Sequence, residues 1–176
     1  ETASTYVEVD NNLVLLANGK GLIRTSEQSG FNHLYLVGFD GSSTAITKGE
    51  WDVIEYLGID EAQNLLYYAS AEPGAIYKSI YSIRLDGTEQ KMISTAYGYH
   101  NATFLKGMKY FIDSYSNANT PPVITLRKAN GELVRTLEDN AALVDKMKNE
   151  RLSRKTFLTI TTPDIDLNAS LILPVN

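Results

Sequence analysis

Two histidines, His33 and His100, are the first residues to weigh for catalysis in this chain of 176 residues. A histidine acts as general base when a hydroxyl nucleophile lies against one ring nitrogen and a carboxylate orients the other. No G-x-S-x-G elbow supplies the serine. His33 lies inside an alternating strand and His100 at the start of one, so both read as structural. The stretch "DSYSNAN" offers Asp113, Asn117 and Asn119 as oxygen ligands, yet it lacks the glycine and terminal glutamate of a calcium loop. A polar loop whose side chains satisfy their own backbone is the better reading. Glu50, Asp52, Glu55, Asp60 and Glu61 are close enough in sequence to suggest an acid–base pair. They alternate with Trp51, Val53 and Ile54 or fall in a turn, which describes a solvated strand face. Trp51 suits ligand stacking, but it begins a strand where large apolar side chains pack between sheets. With no cysteine, disulfides, thiolate metal sites and a cysteine nucleophile are excluded. No catalytic, substrate-binding or metal-ligating residue is therefore assigned, and no cofactor is expected.

The elements that would position a site are strands. Eleven tyrosines against five phenylalanines, in a composition 43% hydrophobic, favour half-buried pleated surfaces. The formal charge is −5 and no Lys/Arg run exceeds a pair, so nucleic-acid binding lacks its electrostatic basis. No apolar run approaches the roughly 18 residues of a membrane helix, and no membrane span is expected. The chain starts at Glu1 without a visible signal peptide and is expected to be a piece of a longer protein.

A turn dipeptide recurs at Asp40-Gly41, Asp86-Gly87 and Asn130-Gly131, at spacings of 46 and 44 residues. It reads as a two-residue hairpin turn, for which Asp-Gly and Asn-Gly supply positive φ. The strand before each turn alternates. His33, Tyr35, Val37 and Phe39 fall on one side in the first copy, and Ser79, Tyr81, Ile83 and Leu85 in the second. Two more strands precede each hairpin: "LVLLA" and "GLIRTSE" joined by "NGK", then "WDVIEYLGI" and "NLLYYASAE", then "HNATFL" and "KYFIDSYS". Each unit is thus four antiparallel strands in chain order, the size and order of a propeller blade. An immunoglobulin-like sandwich does not predict a four-strand repeat of fixed period. Trp51, Leu57, Ile80, Phe104, Phe111 and Leu126 are expected to be substantially buried, and Pro121-Pro122 to start an edge-like strand.

Residues 141–152, "AALVDKMKNERL", depart from this pattern and predict one short helix, with Ala142, Leu143, Met147 and Leu152 at helical spacing and Asp139 or Asn140 as N-cap. "KTFLTITT" and "ASLILPV" then predict two strands around the turn "PDIDLN".

The stretches "SEQSGFNHLYLV", "AITKGEWDV", "YFIDSYSNANTPP" and "LVRTLEDNAAL" resemble the later part of the N-terminal propeller of the dipeptidyl peptidase IV family of S9B serine peptidases, the bacterial members most closely. The resemblance runs from about residue 12 to the end, and "KTFLTITTPDIDLNASLILPVN" looks like the passage into an α/β-hydrolase domain. It implies an all-β fold: a partial β-propeller of about three blades, a short helix and a C-terminal hairpin. It implies a parent that removes dipeptides from peptide N-termini, in which the propeller caps the hydrolase and limits access. In that family the serine, aspartate and histidine follow the propeller, and the glutamate pair that holds the substrate amine comes from an earlier segment. The adjacent acidic pairs here, Asp60-Glu61 and Glu138-Asp139, stand in other contexts, so no functional residue carries over.

The expected organisation is a propeller fragment over 1–140, a helical linker over 141–155 and the start of the hydrolase domain over 156–176. The expected partners are the parent's own hydrolase domain, its peptide substrates and, through two uncovered sheet faces, a second copy. Leu13, Leu15 and Leu16 lie near one such face, and Val123, Ile124 and Leu126 near the other. The resemblance places the parent in the periplasm or outside the cell. The rival reading is a stand-alone β-repeat module that binds peptide or carbohydrate, which needs a concave aromatic site. Two sequons, Asn101-Ala102-Thr103 and Asn168-Ala169-Ser170, are short enough to arise by chance.

Overall fold

The computed structural model describes residues 13–17, 19, 21–150 and 152–174; Asn18 and Lys20 of the expected "NGK" turn lie outside them. The strands are β1 (Leu13–Leu15), β2 (Leu22–Ser26), β3 (His33–Val37), β4 (Ser43–Ala45), β5 (Val53–Asp60), β6 (Leu65–Ser70), β7 (Ser79–Arg84) and β8 (Lys91–Met92). They continue with β9 (Tyr99–Phe104), β10 (Tyr110–Asn117), β11 (Thr120–Lys128) and β12 (Leu133–Glu138). Helix α1 (Ala141–Asn149) and a hairpin of β13 (Lys155–Thr161) and β14 (Asp166–Ile172) follow. The first twelve strands form three four-stranded antiparallel sheets, β1-β2-β3-β4, β5-β6-β7-β8 and β9-β10-β11-β12, each a meander in chain order. This is the expected partial propeller.

The blades pack face to face. Leu16, Ile23, Leu34 and Ile46 of the first blade close on Val53, Leu66, Tyr68, Tyr81 and Ile83 of the second. The opposite face of the second blade, with Tyr67, Ile80 and Ile93, closes on Phe111 and Phe104 of the third. The middle blade is thus covered on both sides, and strand alternation there sorts residues between two cores rather than between core and water. Ile80 and Phe111 are wholly buried, whereas Trp51, Leu57, Phe104 and Leu126 are half-buried. Leu16 belongs to the inter-blade core, while Leu13 and Leu15 stay exposed.

The recurring turn differs from the two-residue form. Gly41 N–H donates to Gly38 O, Gly87 N–H to Arg84 O and Gly131 N–H to Lys128 O, and Gly38, Arg84 and Lys128 in turn donate to the carbonyls of Ser42, Thr88 and Glu132. Only the glycines have positive φ, at 86°, 82° and 90°; Asp40, Asp86 and Asn130 do not. This is a type I turn followed by a left-handed glycine, a three-residue loop. The acidic or amide side chain is free to do something else: its Oδ1 accepts the N–H two residues on, at 2.9 Å from Ser42, 2.9 Å from Thr88 and 3.0 Å from Glu132.

Other expectations need adjustment. Strand β11 is internal, between β10 and β12. Pro121 and Pro122 are tolerated because β12 pairs with it only from Ile124 onward. At α1, Asn140 takes the N-cap place with φ 53° but makes no capping bond; its side chain donates to Pro122 O. Asp139 instead accepts the Ala141 N–H at 2.9 Å. In the last hairpin, Asp166, Leu167 and Asn168 belong to the strand, so the turn spans only 162–165, closed by Thr162 on Ile165.

The turn glycines also touch the neighbouring blade. A Cβ on Gly131 would stand 2.3 Å from Ile93 O, and one on Gly87 2.9 Å from Ile46 O, whereas one on Gly41 meets nothing within 4 Å. Alanine at Gly41 therefore carries only the left-handed backbone strain of about 1 kcal/mol, while Gly87→Ala and Gly131→Ala add an overlap of roughly 1–3 kcal/mol. Urea unfolding midpoints are expected to fall in the order Gly41→Ala, Gly87→Ala, Gly131→Ala, the last lowest. Equal losses at all three would show that the inter-blade contact contributes nothing.

Candidate functional site

Polar side chains concentrate where one blade hands the chain to the next. The connector after the first blade runs past His33, whose Nε2 donates to Gly49 O at 3.0 Å and whose Nδ1 meets the Thr47 hydroxyl at 3.0 Å. Thr47 Oγ1 also accepts the Leu34 N–H, so its own proton goes to the histidine. The Trp51 ring stands edge-on to His33 at 4.9 Å and stacks over Tyr68 at 6.2 Å. Trp51 is a wall of the inter-blade core.

The connector after the second blade is held from the other side. His100 on β9 is 1% exposed, and its Nε2 donates to Ala96 O at 2.9 Å. Its Nδ1 lies 3.0 Å from both oxygens of Asp113, which is wholly buried. Carbonyl and carboxylate both accept, so both contacts are hydrogen bonds when both ring nitrogens carry N–H. Arg127 approaches Asp113 at 3.5 Å and also donates to Thr125, Gly131 O and Thr95. The sequence reading had found no carboxylate for either histidine. In the β9–β10 pairing Tyr115 is opposite His100 and Ala102 is opposite Asp113, which makes His100 and Asp113 diagonal neighbours on one face. The short turn Lys106-Gly107-Met108, which joins "HNATFL" to "KYFIDSYS", held that signal. The pair has the orienting half of a catalytic dyad, but the second ring nitrogen is committed to a backbone carbonyl, so its role is to fasten the connector.

The remaining candidates are likewise engaged in structure. Lys78 is buried, with its ammonium 2.7 Å from Glu55, 3.1 Å from Asn101 Oδ1 and 5.4 Å from the Tyr99 ring. It ties the first strands of the second and third blades together. Asp52 accepts the Asn32 N–H at 2.8 Å and Glu61 the Ala17 N–H at 2.9 Å, both across the first blade junction. Asp60 closes its own turn on Gln63. These carboxylates are therefore more than a solvated face; Glu50 alone is simply exposed. Asp113 is buried beside His100, while Asn117 and Asn119 sit at the β10–β11 turn, where Asn117 Oδ1 accepts the Asn119 N–H at 2.9 Å and Asn119 exchanges hydrogen bonds with Lys155; Asp113 does not join them. Glu138 and Asp139 accept N–H groups at the start of α1. Asn101 of the first sequon is occupied by Lys78, and Asn168 of the second lies on the exposed face of β14.

Face-to-face four-stranded meanders with buried polar groups spent on the blade junctions define a β-propeller segment. The sequence model for the dipeptidyl peptidase IV N-terminal region matches residues 1–122. The chain is 32% identical over 165 residues to dipeptidyl peptidase 4 of Arthroderma otae, covering 90% of this chain and 21% of that one. It is 31% identical over 165 residues to the Trichophyton rubrum protein of the same name, with the same coverage. The crystal structure of Porphyromonas gingivalis dipeptidyl peptidase 4 matches with a TM-score of 0.83 and 36% identity, over 92% of this chain and 23% of that one. The chain belongs to the dipeptidyl peptidase IV N-terminal region family, and it spans about a fifth of the length of the curated relatives it matches.

Two measurements separate structural groups from surface ones. Asp113→Asn removes the charge opposite His100 and Arg127 in a buried site and is expected to destabilise by roughly 3–5 kcal/mol; Lys148→Ala, which breaks an exposed pair with Asp145 at 3.4 Å, by less than about 0.5 kcal/mol. Comparable losses would mean that the buried pair is not a fastening.

The tyrosines of the blade junction predict alkaline lability. Burial, aided by Glu61, pushes Tyr56 up to about 12. Burial with Glu72 nearby also raises Tyr68 and Tyr81. An unfolded tyrosine ionises near 10. Between that pH and the folded-state values the unfolded chain binds fewer protons, so stability is full below about 10 and falls as pH rises. The Tyr68 hydroxyl is buried with no hydrogen-bond partner among the described residues. Tyr68→Phe is expected to hold or raise stability at pH 7 and to flatten the loss above pH 10, read by urea unfolding across pH. A steeper alkaline loss in the variant would contradict this assignment.

Proposed function

We propose that this chain is the non-catalytic propeller segment of a dipeptidyl peptidase IV-like serine exopeptidase, and that in the parent it caps the active site and limits which peptides enter. On this reading residues 1–140 are blades, 141–155 a helical linker, and 156–176 the first hairpin of the hydrolase domain. The parent's partners are that domain and its peptide substrates, and its compartment is the periplasm or the cell exterior.

The observation that carries the reading is the last hairpin. One face of β13–β14 holds Leu158, Ile160, Leu167 and Leu171, 39–48% exposed, and no blade covers them. A two-stranded hairpin is marginal in water, and one with a bare apolar face needs a further layer. It leaves the blades beside the β10–β11 turn, through the Asn119–Lys155 bonds. The same face argues against a stand-alone binding module.

The test is release of chromophore from Gly-Pro and Ala-Pro anilides. This chain is expected to be inactive, and the whole parent protein, with the earlier blades and the hydrolase domain, is expected to hydrolyse both. An inactive, folded parent defeats the reading. Light scattering on the same preparations reports the bare faces: the chain alone is expected to exceed 19.5 kDa at high concentration, and the parent not to associate through those faces.

A further inference from the structure

We infer that the cleft between the second and third blades, at the end of the molecule opposite the exit hairpin, is a binding site for an organic anion with an apolar body. The cleft has a volume of about 690 Å³, within the range that holds a drug-sized ligand. It lies where the outer strand of the second blade, β8, is only two residues long.

Its chemistry follows from what its own residues have left to offer. Three amide side chains at the rim already hold one hydrogen bond each. Gln63 donates to Asp60 at 3.0 Å, Gln90 turns away to Glu72 at 2.8 Å, and Asn130 accepts the Glu132 N–H at 3.0 Å. Two charges are committed as well: Lys128 to Glu132 at 2.8 Å and Glu89 to Arg84 at 2.9 Å. What remains is a floor of Leu65, Ile93, Met108 and Ala129, the side chains of Tyr67 and Ser82, and two exposed ammonium groups, Lys91 and Lys109, without an ion-pair partner among the described residues. Two ammonium groups without an ion-pair partner on the rim of an apolar cleft, in a chain of formal charge −5, favour an anion even with Asp60 beyond Gln63. The floor selects for a hydrocarbon or aromatic body behind it.

The site is independent of the proposed function. Its loops, 61–64, 86–90, 105–109 and 129–132, lie at the opposite strand ends from the β10–β11 turn and the connectors. The antiparallel meander fixes that separation.

The three methionines make the test specific. Met108 lines the cleft, Met92 faces the other side of β8, and Met147 is on α1. With methyl-labelled methionine and assignment by Met→Leu variants, decanoate is expected to shift the Met108 methyl saturably at one equivalent and to leave Met92 and Met147 in place. Decanol and decyltrimethylammonium are expected to bind at least about tenfold more weakly, as is decanoate to the Lys91→Gln/Lys109→Gln double variant. Unchanged Met92 and Met147 signals confirm that the variant is folded. A shift that decanol matches, that survives in the double variant, or that moves all three methyls alike overturns the inference; so does no shift at Met108.

Discussion

Each blade meets the one before it through a backbone contact that leaves no room for a side chain. The third-blade turn sets Gly131 against Ile93 O, and the second-blade turn sets Gly87 against Ile46 O. Each carbonyl lies one residue beyond an outer strand, where the chain leaves one sheet for the next. The constraint is therefore double. Left-handed backbone closes the turn, and a missing Cβ lets the turn dock. Sheets held this closely interdigitate, so Tyr67 of the second blade reaches Phe104 of the third at 4.3 Å between ring centres, while Phe104 stacks on Phe111, its cross-strand partner, at 4.9 Å. Placement of the aromatic core depends on where two glycines allow the blades to stop.

Close docking raises a second requirement. Connectors that cross between blades carry carbonyls and N–H groups outside any strand pairing, and those that face the junction need a partner. The two connectors solve this with the same group on opposite sides. Gly49 O receives a bond from His33 of the blade behind it, and Ala96 O from His100 of the blade ahead. Lys78, Asp52 and Glu61 serve neighbouring positions. Groups that elsewhere do acid–base chemistry are here fixed by hydrogen bonds, two or three for each histidine and for Lys78 and one each for Asp52 and Glu61. That commitment gives rigidity and removes reactivity.

The period of the turns, the order of the strands and the helix that ends the repeat were legible in the sequence because each is written in local residue choice. Asp-Gly and Asn-Gly mark turns wherever they stand, and alternation marks strands. What was not legible depends on neighbours in space. The turn type was misread because the Asp or Asn side chain, by taking the N–H two residues on, stabilises the three-residue loop as well as it would a shorter one. Pro121-Pro122 suggested an edge because the length of β12 cannot be read from β11. His100 looked isolated because its carboxylate lies thirteen residues away and comes close only through the register of a hairpin. The resemblance identified the family without identifying any of these contacts.

The two ends of the repeat differ in a way that bears on its place in a larger molecule. In the first two blades the outer strand is short and gives way to the residue pair Ile46-Thr47 or Ile93-Ser94, whose N–H groups return to Leu34 O and Ile80 O before the chain crosses over. A side-chain oxygen of the same pair, from Thr47 or Ser94, accepts the N–H of that strand. The third blade lacks this device. Its outer strand runs six residues to Glu138, and Asn140 is pinned to Pro122 O, which redirects the chain into α1 instead of across to another sheet. Repetition thus stops by a change in local hydrogen bonding, while the outer face of the third blade remains only half-covered, with Ile112, Ile124 and Leu126 at intermediate exposure. Sheets of this kind need a layer on both faces. Helix α1 returns against β11, on which Asn140 is pinned, and the three apolar side chains stay half-exposed beside it.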